Sequence, residues 1–397
     1  MKETNEEQAK RPVRAVGLDC HPDSFTSAVL VGQKAVDAVV EKLSEKLPLD
    51  QLESWVLKHT EPQDILIMEA TGNCLELVRR LEQVGRKALV LDSVKVGKVA
   101  KSYCTTDKTS AVKIARVYLS GLGGEVWVPD ALTRQRRELY SAYEQARADS
   151  TRAINRLRGY LNEYTLRVPK EIKLGSPRLR LWVQKARNWE PTQQLLLTQA
   201  FEDIERARGK EAVLKKHMAE EILADPHLLR LVRIFGLRHI TVYAIAAYVG
   251  DIRRFRTPKK LVAYIGLNPR VEDSGEHSSR RFLSGNGRKE LRRVLVEAAH
   301  CIFHHKSASN PLYKWAHHLS FRKGRNLAVV GVARKIVMSM WYLMMGMFTP
   351  LQEATSTIRY KILVLARFIG IQELRCRGYP RYADFIEEKI QILKLTT

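Results

Sequence analysis

Three carboxylates in the first third of the chain are spaced so that they could assist phosphoryl transfer. Asp19 ends the apolar run VRAVGLD, Glu69 ends the apolar run DILIME, and Asp107 opens a helical stretch well beyond both. If the first and fourth strands of a sheet lie side by side, acids at their ends and one from a later helix converge on a single point. Carboxylate oxygens suit Mg2+, which takes a few hard ligands and keeps several waters. Two such ions about 4 Å apart activate and stabilise an in-line phosphoryl displacement. Taken singly, each acid is an ordinary turn residue at the end of an element; the order of the three carries the reading.

A second set of residues points to polyanions. Between Ile252 and Arg293 there are twelve Lys or Arg and four acids. Arg253, Arg254, Arg256, Lys259 and Lys260 form one cluster around Phe255, and Arg280, Arg281, Arg288, Lys289, Arg292 and Arg293 form another beside a Ser-rich loop. Arg322, Lys323 and Arg325 stand in a stretch, Phe321–Lys335, without an acid. A solvated basic face is the bland alternative, but paired clusters flanking such a loop favour phosphate contact. Gly236, between helical stretches, could expose backbone N–H groups to a phosphate. His300, His304 and His305 have near-metal spacing; no acid or Cys completes the set, so they are read as structural or DNA-facing.

The elements that must position these residues change character along the chain. Residues 13–19 and 25–30 read as short strands, a third strand is expected near Ala35–Val40, and 50–59 reads as helix. The run 64–69 has the continuous apolarity of a strand covered on both faces. A helix over 73–84, a strand over 88–91 and two helices to about Leu119 complete an α/β layer pattern. After Pro129, apolar residues recur every three or four positions from Thr133 to about Val168, which predicts a long amphipathic helix, half of a coiled coil. A second helix is expected from about Thr192 to Leu223, ended by Asp225-Pro226. From Leu228 the chain reads as compact and helical. The predicted class is thus α/β plus all-α: an N-terminal α/β domain over 12–128, a helical stalk over 129–225, a helical domain over 226–348 and a C-terminal extension over 349–397.

Composition narrows the partners. The chain has 397 residues and 67 Lys plus Arg against 43 Asp plus Glu, a formal charge of +24. Each Lys or Arg that neutralises a phosphate releases counterions, so such a surplus fits nucleic acid. The five cysteines stand far apart with no CxxC, which supports neither a zinc ribbon nor a disulfide framework and fits reduced thiols in a cytoplasm. The N-terminal residues have no apolar signal core, and the longest apolar run, Ile336 to Phe348, falls short of the roughly 20 residues of a spanning helix, so no membrane is expected.

The pieces GLDCH (17–21), MEATGN (68–73) and TDKTSAVKIA (106–115) resemble the motifs of the DEDD insertion-sequence transposases, a family that includes the pilin-inverting DNA invertases and the bridge-RNA-guided recombinases. The segment 231–275 resembles that family's second domain, with matches at Gly250, Asp251, Arg254, Phe255, Gly266, Leu267, Pro269, Ser274 and Gly275. The turn Phe235-Gly236-Leu237-Arg238 departs from the family's Pro-Gly-x-Gly. The resemblance spans roughly residues 12–347. It implies a RuvC-like (RNase H-like) first domain whose metal-binding acids are Asp19, Glu69 and Asp107. The family's Asp-x-x-Asp stands here as Asp107-Lys108-Thr109-Ser110. Ser110 lies on the same helical face as Asp107, and three carboxylates are expected to suffice, with Ser110 holding a metal-bound water. The resemblance also implies Mg2+, a nucleophilic Ser274 that forms a phosphoserine link, donor and target DNA, a structured guide (bridge) RNA, and a homodimer or homotetramer with composite sites in a bacterial nucleoid. Ser278, Ser279 and Ser284 are the alternative nucleophiles on the same loop.

Two other classes remain open at this point. A metal-dependent nuclease or junction resolvase would use the carboxylates and not Ser274. A domesticated, non-catalytic DNA- or RNA-binding protein would use neither.

Overall fold

The first strand, β1 (Val13–Cys20), is apolar on both sides, and both sides are covered. A computed structural model describes residues 13–99, 107–269, 272–274, 277–279, 283, 287–304, 311–349, 351–352 and 354–395, with the backbone alone at 107, 272–274, 277–279, 311 and 394–395. The chain divides into two compact units, Met1–Val128 and Pro129–Thr397.

In the first unit, β1 is followed by β2 (Ser24–Gly32), β3 (Val39–Pro48), α1 (Leu52–His59), β4 (Ile65–Glu69), α2 (Cys74–Gln83), β5 (Ala88–Leu91), α3 (Ser93–Val99), α4 (Asp107–Leu119) and β6 (Glu125–Val126). The sheet order is β3-β2-β1-β4-β5-β6. The hairpin strands β1, β2 and β3 are antiparallel, and β1, β4 and β5 run parallel. Parallel neighbours need crossover connections, which α1 and α2 supply on one face. This mixed six-stranded sheet is consistent with the expected RNase H-like domain.

Alternation along each strand makes two cores. Val16, Leu18, Leu66 and Met68 pack with Trp55, Leu77 and Leu81 on the α1/α2 face. Ala15, Ala28 and Ile67 pack with Ala111, Ile114 and Ala115 of α4 on the other. The third strand lies later than Ala35–Val40, at Val39–Pro48. It is a largely exposed edge strand with a charged sequence, VVEKLSEKLP, so apolarity does not mark it.

The second unit holds α5 (Ala131–Glu163), α6 (Pro177–Ala186), α7 (Pro191–Ala224), α8 (Pro226–Leu231), α9 (His239–Val249), α10 (Pro258–Ile265), the hairpin β7 (Glu272–Ser274) and β8 (His277–Ser279), α11 (Lys289–His304), α12 (Pro311–Lys323), α13 (Arg325–Met344), α14 (Thr355–Ile369), α15 (Ile371–Cys376) and α16 (Tyr382–Leu395). The long helix α5 stops at Glu163 rather than near Val168, because Thr165 takes a left-handed conformation with φ 58°. One end of the α5–α7 pair has its own small core, Leu157, Leu179, Leu197 and Phe201. The other end, Tyr140, Tyr143, Met218 and Ile222, joins the main helical core. Residues 349–395 join that core too, through Ile362, Leu365, Phe385 and Ile390. Among the described residues one helix, α13, is long and apolar enough to cross a membrane; 56% of its most apolar window is buried against the other helices.

Candidate active site and nucleic-acid surface

Strand register brings two of the three expected acids together. Leu18 of β1 pairs with Met68 of β4, and Asp19 and Glu69 are the next residue on each strand. Alternation places both on the face covered by α4, with Ala15 and Gly17 before one and Ile67 before the other. The Glu69 carboxyl is pushed above the ordinary range by burial and then by the negative charge of Asp19. Two acids held this close favour a shared cation, because each raises the cost of ionising the other.

The helix α4 is seated over the same end of the sheet. At Gly17 a Cβ would fall 2.0 Å from the Ala111 carbonyl oxygen, so only glycine admits the helix backbone here. Lys108 Nζ lies 3.0 Å from Glu45 Oε1 on β3, level with Thr26, the β2 partner of Asp19. The first turn of α4, with the partly buried Ser110 beside Ala111, therefore stands at the carboxylate end of the sheet. The backbone of Asp107 opens α4; its carboxylate lies outside the described residues. Among the described residues no three His, Cys, Asp or Glu side chains gather at one point. Asp19 and Glu69 offer hard oxygen donors of the kind Mg2+ accepts, leaving positions for water and substrate.

His21, in the turn that follows β1, stands two residues after Asp19. Its Nε2 lies 3.8 Å from Asp19 Oδ2, and its backbone oxygen accepts from Asn73 Nδ2 at 3.2 Å. The segment after Glu69 is thereby tied to the turn after Asp19.

In the second unit, the segment that carries Ser274 is a short ladder rather than an irregular loop. Ser274 ends β7 and pairs with His277 of β8; Ser278 and Ser279 lie on β8. Gly275, Arg280, Arg281 and Ser284 lie outside the described residues. The neck of the hairpin is closed by a bridge between Pro269 and Leu283. Both flanks are anchored to the end of α10: Leu267 N–H donates to Val262 O at 3.1 Å, and Arg288 N–H to Tyr264 O at 3.1 Å. Gly287, with φ 124°, fits there because a Cβ would fall 2.6 Å from Tyr264 O.

The basic residues divide into two groups. Arg256, Lys259, Lys260, Lys289, Arg322, Lys323 and Arg325 are exposed, and Arg253 is exposed while paired with Asp251 at 3.0 Å. Among the described residues, Arg254, Arg288, Arg292 and Arg293 are turned toward the protein. Arg254 donates to Val249 O at 3.0 Å and lies 4.0 and 4.5 Å from the Phe255 and Tyr264 rings, and burial lowers its pKa. Arg288 reaches the Tyr264 hydroxyl at 3.3 Å, Arg292 donates to Ile265 O at 3.4 Å, and Arg293 pairs with Glu144 of α5. Arg137 of α5 joins this inner group through Ala247 O at 2.9 Å, and burial, then Arg288 and Arg254, lower its pKa. Its local sequence carries no sign of this. His304 Nε2 lies 3.3 Å from Arg325, His300 is on the same helix, and His305 lies outside the described residues.

Comparison with known proteins agrees with both halves. A DEDD transposase family model, described as Transposase, matches residues 16–166, and a second, described as Transposase IS116/IS110/IS902 family, matches residues 229–314. A probable family 20 transposase of Pseudomonas aeruginosa is 23% identical over 299 residues, 71% of this chain and 84% of the relative. The transposase for insertion sequence element IS1111A of Coxiella burnetii is 25% identical over 288 residues, 70% of this chain and 77% of the relative. The transposase for insertion sequence element IS1328 of Yersinia enterocolitica is 23% identical over 337 residues, 83% of this chain and 96% of the relative. With acids at adjacent strand ends, a helix seated over them and two family matches in the expected order, the chain belongs to the DEDD-type insertion-sequence transposases, enzymes that cut and rejoin DNA.

Proposed function

We propose that this transposase recombines DNA site-specifically through a serine nucleophile assisted by divalent metal at the Asp19–Glu69 end of its first unit. The observation that carries the metal half is the register of β1 and β4, which makes Asp19 and Glu69 neighbours beneath the first turn of α4. Asp107 completes the acid set in this reading, and Ser110 holds a metal-bound water. Mg2+ bound there would lower the pKa of the attacking hydroxyl and offset charge on the phosphoryl oxygens.

A serine hydroxyl is weak at its free pKa and needs such activation. In the proposed step, Ser274 Oγ bonds to phosphorus while the bond to one deoxyribose oxygen breaks. The serine proton leaves to solvent, and the released sugar hydroxyl takes one up. The strand end stays as a phosphoserine ester, so its bond energy remains available for rejoining. Arg280 and Arg281, following the serine in sequence, are assigned to the phosphate oxygens. The exposed cations Arg256, Lys259, Lys260, Lys289, Arg322, Lys323 and Arg325 are assigned to the nucleic-acid backbone, together with Arg253. Arg254, Arg288, Arg292 and Arg293, expected from the sequence to meet the same backbone, instead hold the framework of that surface. Donor and target DNA, chosen by pairing with a structured guide RNA, and a homodimer or homotetramer with shared sites complete the proposal.

Asp19→Asn is expected to abolish Mg2+-dependent strand cleavage while leaving DNA affinity within about twofold, since one neutralised acid adds no phosphate contact. Full cleavage by that variant removes the carboxylate assignment. Trapping protein on labelled DNA and mapping the attached residue tests the other half. Attachment at Ser274 is expected; cleavage without any covalent species means direct metal-dependent hydrolysis instead.

A further inference from the structure

Beside the neck of the Ser274 hairpin lies a cleft of about 560 Å3 between α12, α13 and the end of α10. Its wall is apolar, with Leu267, Trp315, Leu319, Leu327 and Met338, and Pro269 and Leu283 of the neck line it as well. Lys323, Arg334 and Lys335 rim it, and no acid is among its described lining residues. Gly331 sets its depth: a Cβ there would fall 3.0 Å from Leu319 and 3.3 Å from the Trp315 ring. Lys335 Nζ stands 4.5 Å from the centre of that ring. Arg334, Lys335 and Leu327 are exposed, Leu327 by 58%.

We infer that this cleft receives one unstacked nucleobase of the DNA strand being cut, with Lys323, Arg334 and Lys335 on its flanking phosphates. The inference rests on the reading that the Ser274 hairpin meets that strand. A cleft of a few hundred Å3, apolar with a few placed charges, has the character of a ligand site. A purely apolar occupant, such as a helix face of a second copy, would take three cations out of water with nothing to offset them. A nucleotide answers both features, because a base stacks on an aromatic ring whatever its identity and its phosphates meet Lys and Arg. The location agrees: extruding a base unstacks the step beside it and kinks the strand, which presents the adjoining phosphate.

The test is a binding comparison on the full chain. The probes are a single-stranded 12-mer of thymidylate and a 12-mer of the same backbone with every base removed, equal in charge. Wild type is expected to prefer the thymidylate strand by about tenfold, the scale of one stacked base. Trp315→Ala should bring the ratio near one with the salt slope unchanged, and Trp315→Phe should keep most of it. Leu327→Glu, at an exposed position that leaves the fold intact, should lower thymidylate binding several-fold by closing the cleft with an acid. Equal affinity of wild type for the two probes overturns the inference. So does a ratio that neither Trp315→Ala nor Leu327→Glu changes, or a Trp315-dependent self-association that shows a second copy in the cleft. A failed ratio with a covalent Ser274–DNA species still formed rejects the cleft alone, whereas an intact ratio with no covalent species rejects the serine reading alone.

Discussion

Ser110 is the residue at which the acid pattern and the chain part company. It lies in the first turn of α4, partly buried, one position before the carbonyl that rests on Gly17. Ser110→Asp places a fourth carboxylate at that turn, and cleavage should be kept or raised, with half-maximal activity at lower Mg2+. An inactive wild type rescued by this substitution would instead mark the natural chain as impaired. A second residue, His239, ties titration to packing. It begins α9, its ring is 4.8 Å from Phe368 of α14, and its pKa is lowered to about 4 by burial, then by Lys215 and Arg238. The folded value lies below the unfolded value of about 6.5, so the stability it confers is full above pH 6.5 and is lost as pH falls toward 4. The loss is at most about 3 kcal/mol. Thermal melts between pH 7 and 4 should fall less steeply for His239→Asn than for wild type; parallel curves would refute the assignment.

Among the elements, α4 and β1 decide whether an active site exists. Their contact is backbone against backbone at Gly17, so Gly17→Ala cannot be absorbed by turning a side chain. Overpacking of this kind costs about 1–3 kcal/mol. It should also lift the first turn of α4 from Asp19 and Glu69. Gly17→Ala is therefore expected to lower the melting temperature and to reduce cleavage at least tenfold, while Gly159→Ala in α5, where a Cβ meets nothing within 4 Å, serves as the neutral control for cleavage. Equal activity of the two variants would show that α4 is not needed at that distance. The α5–α7 pair illustrates the converse. Its periodicity is plain in the sequence, but its ends differ: one closes on its own core and the other is absorbed by α9 and its neighbours.

On the scale of the whole molecule, residues 349–395 are part of the second unit's core rather than an appendage to it. Lys361 Nζ donates to Val232 O and Ile234 O, each at 3.0 Å, and Ile234 bridges to Gln352. Ile358, Ile362, Leu365 and Ile369 of α14 and Phe385, Ile386 and Ile390 of α16 are buried. Ending the chain at Phe348 would expose the apolar surface these residues cover, at about 25 cal/mol per Å2. The shortened protein is expected to aggregate or to lose its cooperative melt; an unchanged melt would show that the last helices are dispensable.

Much of this was legible in the sequence because local patterns follow local physics. The continuous apolarity of DILIME reports a strand buried on both faces and the Val- and Ala-rich VRAVGLD reports another strand, so the acids that end them are assigned to strand termini from the sequence. The charge surplus and the motif order pointed to nucleic acid and to the family. The edge strand β3, Val39–Pro48, is not legible near its true bounds because an exposed strand with alternating charges lacks that apolarity. Neither the seating of α4 on Gly17, nor Arg137 beside Arg254 and Arg288, nor the cleft at Trp315 could be read from the chain. Each depends on residues distant in sequence whose approach is set by packing. The sequence determined which residues carry charge, which must be buried and which elements form; tertiary structure alone decided which acids became neighbours and which cations turned inward, because those outcomes depend on the register and close packing of whole elements.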